Sequence, residues 1–268
     1  MPNEKLDCVV YGCTSGTIVA GYDSIKNKIN LAKPEAKVVT PSSAAVNALR
    51  KMNVKKVSIF TPYSEKLNND VVDYFKKENL IKMAETITEV SRDILPDEKL
   101  DCVVYGCTSG TIASGYESIK EKINIAKPEA KVVTPSSAAV NALRKMNVKK
   151  VSIFTPYSQK LNNDVVDYFK KENFIVTSNS YFDILYDNDI AKVDPDYLFE
   201  VITKMDLGEA EAVFLSCTNL PALNIVDKLE KKLNKIVLSS NQVLIWDTLQ
   251  NIKRTEQVNG FGKLFMSN

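Results

Sequence analysis

The chain repeatedly spells a short apolar run, stopped by hydroxyl-bearing residues and followed by a stretch with helical spacing. CVVY at 102–105, KVVT at 131–134, VSIFT at 151–155, FIVTS at 174–178, AVFLS at 212–216 and IVLS at 236–239 read as strands. Residues 111–126, 136–146, 162–171, 196–205 and 220–233 read as helices, the second capped by a serine after Pro135. Strands alternating with helices of about ten to fifteen residues argue for parallel pairing through right-handed crossovers. The expected class is therefore α/β, with parallel sheets covered by helices on both faces. Ligands of such sheets bind beyond the carboxyl ends of the strands. Five polar clusters fall there: Cys107-Thr108-Ser109, Thr134-Pro135-Ser136, Thr155-Pro156-Tyr157-Ser158, Cys217-Thr218-Asn219 and Ser239-Ser240-Asn241. Hydroxyls after a strand also cap the next helix, so one cluster alone does not mark a site.

A second constraint is internal repetition. Residues 2–81 and 96–175 align without gaps at an offset of 94 positions, and 72 of the 80 pairs are identical. Solenoid repeats are shorter and diverge further. A recent partial duplication, an engineered fusion and an error of gene assembly would each leave this trace. VVYGCTSGT accordingly occurs twice, at 9–17 and 103–111, with a looser relative, VFLSCTN, at 213–219.

Composition narrows the chemistry. The 268 residues are 44% hydrophobic and 25% charged, enough for a sizeable core. Thirty-five basic and 33 acidic residues, spread along the chain, form no basic stripe or patch, so neither nucleic acid nor a membrane surface is an expected partner. No apolar run approaches the roughly 20 residues that span a bilayer, and MPNEKLD lacks a signal-peptide core, so a cytoplasmic protein is expected. The five cysteines, Cys8, Cys13, Cys102, Cys107 and Cys217, read as reduced thiols. There is no histidine, which removes the commonest general base and metal ligand. No phosphate-binding glycine loop or metal-ligand spacing is present, so no cofactor and no metal are expected.

Chemistry therefore falls to cysteine, tyrosine, carboxylate or lysine. A cysteine at a helix amino terminus meets the positive end of the dipole and unpaired N–H groups, which favour its thiolate. Cys107 and Cys217 read as so placed, whereas Cys8 and Cys102, at strand starts, read as small buried hydrophobes. Two strand-tip thiols flanked by backbone donors suit a small substrate carrying a carboxylate at each end. Tyr157 offers a phenolic donor there; the plainer reading is a half-buried tyrosine beside a turn proline.

GCTSGT at 106–111, TPSSAAVNALRKM at 134–146, VSIFTPY at 151–157, SCTNLPAL at 216–223, SSNQVLIW at 239–246 and GFGKLF at 260–265 occur in order. As a set they resemble the maleate cis–trans isomerase and arylmalonate decarboxylase branch of the aspartate/glutamate racemase superfamily, over about residues 83–265. The resemblance implies two similar flavodoxin-like domains with the active site at their interface, and a homodimer or larger oligomer. It further implies catalytic thiols at Cys107 and Cys217, carboxylate pockets lined by Thr108, Ser109, Thr218 and Asn219, and hydrogen bonding from Tyr157. The implied reaction is maleate to fumarate, with one thiolate adding to the double bond and the second thiol exchanging a proton. The decarboxylases have glycine in place of the first cysteine, so Cys107 argues for isomerisation. Racemisation of an amino acid or hydantoin, and a non-catalytic carboxylate-binding remnant, are the alternatives.

The expected organisation is a duplicated copy at 1–81, a first α/β domain at 82–149, a second at 150–241, and a C-terminal helix and tail at 242–268 packing back on the first. The opening strand and asparagine-bearing loop of the family are missing. The copy's last strand, Val57 to Thr61, is the candidate replacement, with Tyr63 or Ser64 near the lost asparagine. Cys13 matches Cys107 in local context, so either copy offers the first thiol. Cys107 leads directly into the segment bearing Cys217 and is the better candidate. If Val57 to Thr61 fills the lost strand's slot, deleting residues 1–54 leaves a soluble protein and deleting 1–81 bares a sheet edge and causes aggregation. Size-exclusion chromatography of both truncations reads this out, and equal behaviour refutes the replacement.

Overall fold

A computed structural model describes residues 5–52, 57, 67, 70–76, 78, 86–96, 98–184, 186–254 and 256–267. Most of the expected replacement strand, with Tyr63 and Ser64, lies outside them. The chain divides into two compact units, Met1–Asn79 and Leu80–Asn268.

In the first unit β1 (Cys8–Val10) leads to α1 (Thr14–Ala20), α2 (Tyr22–Ala32), β2 (Lys37–Val39) and α3 (Pro41–Lys51). β1 and β2 pair in parallel, and Ile18, Ile25, Val38 and Val46 are buried. The second unit begins with α4 (Ile87–Asp93) and repeats the same order as β3 (Cys102–Val104), α5 (Thr108–Ser114), α6 (Tyr116–Ala126), β4 (Lys131–Val133) and α7 (Pro135–Lys145). It continues with β5 (Lys150–Thr155), α8 (Gln159–Lys171), β6 (Ile175–Tyr181), α9 (Asp187–Ile190), α10 (Pro195–Lys204) and β7 (Ala212–Leu215). Then come α11 (Val226–Leu233), β8 (Ile236–Ser239) and α12 (Ser240–Asn251).

All pairings are parallel: β3 with β4, and β6-β5-β7-β8 in a four-stranded sheet. Each crossover runs through a helix; the central strands β5 and β7 are buried almost throughout, whereas the edge strand β6, IVTSNSY, stays partly exposed. All of β7 is buried, and Phe214 lies 5.2 Å from the Phe169 ring of α8. Leu198 and Ile202 from α10 and Val226 and Leu229 from α11 complete the same core. Helix α12 packs on α7, where Asn141 Nδ2 donates to both oxygens of the buried Asp247 at 3.2 Å.

Register positions the functional loops. Phe154 pairs with Leu215, and Leu215 with Ser239, so the segments bearing Tyr157, Cys217 and Ser240 leave the sheet along one rim.

Three local expectations change. The helix expected over 111–126 is two helices, because Gly115 takes φ +80°, a conformation open to glycine and costly for other residues. The helix after Pro135 is capped by Thr134 rather than by a serine. Thr134 accepts from Ser137 N, and Ser137 returns the bond to the Thr134 amide, with Pro135 in the first turn. The helix expected over 220–233 is a 3₁₀ turn, Leu223–Ile225, followed by α11. Cys217 therefore does not sit at a helix amino terminus.

Gly115→Ala should cost about 1–3 kcal/mol in urea unfolding, since space is open but φ is not. Gly106→Ala, equally open and at ordinary φ, should lie within about 0.5 kcal/mol of the parent.

Candidate functional site

Cys107 caps α5. Its extended backbone, φ −125°, turns Sγ back over the first turn, where it accepts from Gly110 N at 3.2 Å and touches Ser109 Oγ at 3.5 Å. The N–H groups of Thr108 and Ser109 are the first of the helix and have no partner within it. Cys107 is half-buried. A half-exposed thiol, a hydroxyl and two outward N–H groups thus share one helix end.

Cys217 is built differently. It is 6% exposed, and its backbone has φ +116°, a strained value for a residue with a side chain. Its N–H donates to Ser240 Oγ at 2.9 Å, and its Sγ accepts from Asn219 N at 3.3 Å. Burial pushes the thiol up, while hydrogen bonds from Tyr157 and the Asn219 amide pull it partly back. Burial is the larger effect and favours the protonated thiol.

Tyr157 joins these parts. It is buried, its hydroxyl hydrogen-bonds both Cys217 and Thr108, and burial followed by the charge of Cys217 drives its ionisation far above the usual range. Thr108 Oγ1 also lies 3.4 Å from Ser240 Oγ. The Cys217 amide donates to Ser240, the Ser240 and Thr108 hydroxyls share a bond in which either can donate, and the Tyr157 hydroxyl bonds both Thr108 and the Cys217 sulfur. The bonds form a ring that leaves the backbone of Cys217 and returns to its sulfur.

The structure brings Cys107, Thr108, Ser109, Tyr157 and Cys217 into one neighbourhood. Thr218 ties the Cys217 turn to the loop before Cys107 instead of opening toward it, since its Oγ1 donates to Gly106 O at 3.0 Å. The Asn219 amide is held by Asp187, at 2.7 Å from the carbonyl and 3.1 Å from Oδ2. The Cys217 and Asn219 N–H groups are engaged, whereas the Thr218 N–H between them has no hydrogen bond among the described residues. Sequence reasoning placed Ser240 in a polar cluster but gave it no role, and missed Asp187 and Tyr105. The doubled serine after β8 was the only local signal for Ser240. Among the described residues, no group of three or more histidine, cysteine or acidic side chains is arranged to hold a metal, and no helix is long and apolar enough to cross a membrane.

The arylmalonate decarboxylase family model matches residues 116–265. A maleate isomerase from Geobacillus stearothermophilus is 24% identical, over 85% of this chain and 95% of its own length. One from Pseudomonas putida KT2440 is 28% identical over 76% and 84%. Among solved structures, a maleate isomerase of Pseudomonas putida S16 with maleate superposes with a TM-score of 0.65 at 22% identity, covering 84% of this chain and 92% of that one. A Nocardia farcinica maleate cis–trans isomerase mutant carrying a covalently bound succinylcysteine intermediate gives 0.59 at 15%, covering 97% of each.

Alkylation of Cys217 by iodoacetamide, followed by peptide mass spectrometry across pH, should show a midpoint above the ordinary 9.0 of a thiol. Tyr157→Phe removes a bond that favours the thiolate, so the midpoint should move further up. A downward move would contradict the ring.

Proposed function

We propose a function from the premise that this chain belongs to the arylmalonate decarboxylase family: it is a cofactor-independent cis–trans isomerase converting maleate to fumarate with two cysteines. The observation that carries the reading is the contrast between the thiols, one at an open helix end and one buried, its ionisation pushed up by that burial. The named relatives supply the substrate, a dicarboxylate with a carboxylate at each end.

The environments divide the labour. Cys107, as thiolate, adds to one alkene carbon of maleate: the S–C bond forms as the π bond breaks, and the electron pair moves to the neighbouring carbon and its carboxylate. The N–H groups of Thr108 and Ser109 and the Ser109 hydroxyl hold that end of the substrate. Cys217 delivers its proton to the carbanion, and Tyr157 donates to the thiolate left behind. The former double bond is now single and rotates. Cys217 then removes the same proton, the S–C bond breaks, and fumarate leaves with Cys107 restored. No electron is gained or lost overall. Thr218, through its N–H, holds the second carboxylate, while Asn219 shapes the Cys217 turn through Asp187. Free thiols suit a reducing compartment, so the cytoplasm is the proposed location. A homodimer or larger assembly is proposed from the family resemblance, and light scattering reads it directly.

Incubation with maleate should yield fumarate in a histidine-free, metal-chelated reaction. Cys107→Ala and Cys217→Ala should each lower kcat by about 10³-fold or more, while Cys13→Ala should change it less than about twofold. Full activity in either of the first two variants would sink the two-thiol mechanism. Cys217→Ser, quenched during turnover, should carry a succinyl adduct on Cys107.

A further inference from the structure

Tyr105 belongs to neither the ring nor the proposed mechanism. It follows β3 by one residue and precedes Cys107 by two, and its ring folds over the start of α5. A Cβ placed on Gly110 would overlap the Tyr105 hydroxyl and stand 3.0 Å from Cys107 Sγ, so phenol and thiol flank the same bare Cα. The hydroxyl is sealed from solvent and makes no well-formed hydrogen bond in this resting geometry; the group it leans on is the Cys107 sulfur. A buried donor without a well-formed bond is costly, and its place beside a nucleophile suits an acceptor that strengthens when it becomes charged. A thiolate at Cys107 is that acceptor. Consistent with this proximity, burial and then the charge of Cys107 push the Tyr105 ionisation up to about 12.

The same constellation occurs in the duplicated sequence of the first unit. Tyr11 Oη and Cys13 Sγ meet a Cβ on Gly16 at 2.5 and 3.0 Å. There the thiol is lowered, first by Ser15 and the Gly16 amide, with Tyr11 a further contributor. The glycine of CTSG thus has a steric task in both copies: any side chain would drive the phenol off the sulfur.

We propose that Tyr105 is a positioning residue whose phenol donates to the Cys107 sulfur when it is charged, giving the first thiol the kind of partner that Tyr157 gives Cys217. The inference rests on the isomerase reading for its effect on catalysis, but not for its effect on the thiol. Among the described residues, the groups whose ionisation is raised by the charge of Cys107 are Tyr105, at the end of β3, and Tyr157, from the loop after β5.

Tyr105→Phe in the full chain deletes only that hydroxyl. One hydrogen bond to a charged acceptor corresponds to roughly tenfold in thiolate population. Because a more basic thiolate is also a better nucleophile, alkylation of Cys107 at neutral pH should slow about threefold. The Cys13 peptide, whose mass differs through Val19, Ala20 and Asp23, serves as internal reference in the same sample. The thermal midpoint should stay level or rise, and kcat for maleate should fall about tenfold at unchanged KM. A lower thermal midpoint with unchanged alkylation would make Tyr105 structural and overturn the proposal. Should Tyr105→Phe fail to fold, Tyr11→Phe must slow Cys13 in the same way, and an unchanged rate there overturns it equally. Slowed alkylation in a protein that leaves maleate untouched would keep the phenol–thiol pairing and refute the isomerase reading instead.

Discussion

The amide of Cys217 is held by Ser240, and much of the C-terminal unit is arranged around that bond. A cysteine at φ +116° carries about 1–3 kcal/mol of backbone strain, more than the roughly 1 kcal/mol net of one neutral hydrogen bond. Ser240 therefore does not hold the turn alone. The full burial of β7 before it, the Asn219 amide on Sγ and the Thr218 hydroxyl on the Gly106 carbonyl fix the chain on both sides. Each contact comes from an element already placed by the parallel sheet or by the junction of the two halves.

The ring of donors also ties the thiol's chemistry to the assembly of the unit. Thr108 belongs to the helix that Cys107 caps, Tyr157 to the loop after β5, and Ser240 to the helix after β8. In a buried site successive hydrogen bonds polarise one another, so a charge on the Cys217 sulfur is felt at every member. Separating the halves removes Thr108 from the ring and leaves Tyr157 and Ser240 buried with one partner fewer. The site thus forms together with the junction, as the closed register of β5, β7 and β8 requires.

The sequence carried the fold class plainly, because parallel strands buried on both faces leave continuous apolar runs that local reading detects. It also carried Cys107, whose cap geometry is local: residues 107–111 supply the thiol, the hydroxyl and the accepting turn among themselves. It misplaced Cys217 at a helix end. CTN after a strand looked like CTS after a strand, but the helix begins only at Val226, and one of the bonds that holds the positive-φ turn comes from Ser240, 23 positions away. The break at Gly115 was missed for a smaller reason: glycine inside an apolar periodicity signals permission to bend, not that the bend is taken.

The repeat sharpens the difference between local and tertiary construction. Everything that builds Cys107's own corner has an identical copy at Tyr11, Cys13, Thr14, Ser15 and Gly16, and the geometry of the copy is nearly the same, with cap φ of −122° against −125°. Sequence alone therefore suffices to make that corner twice. Cys217 and Ser240 occur once, beyond the repeat, and the ring needs one threonine to stand between one serine and one tyrosine. Thr108 fills that place in the C-terminal unit. A chain with one Cys217 closes one such ring, so doubling the strand-tip motif doubles a thiol with its phenol but not the acid opposite it.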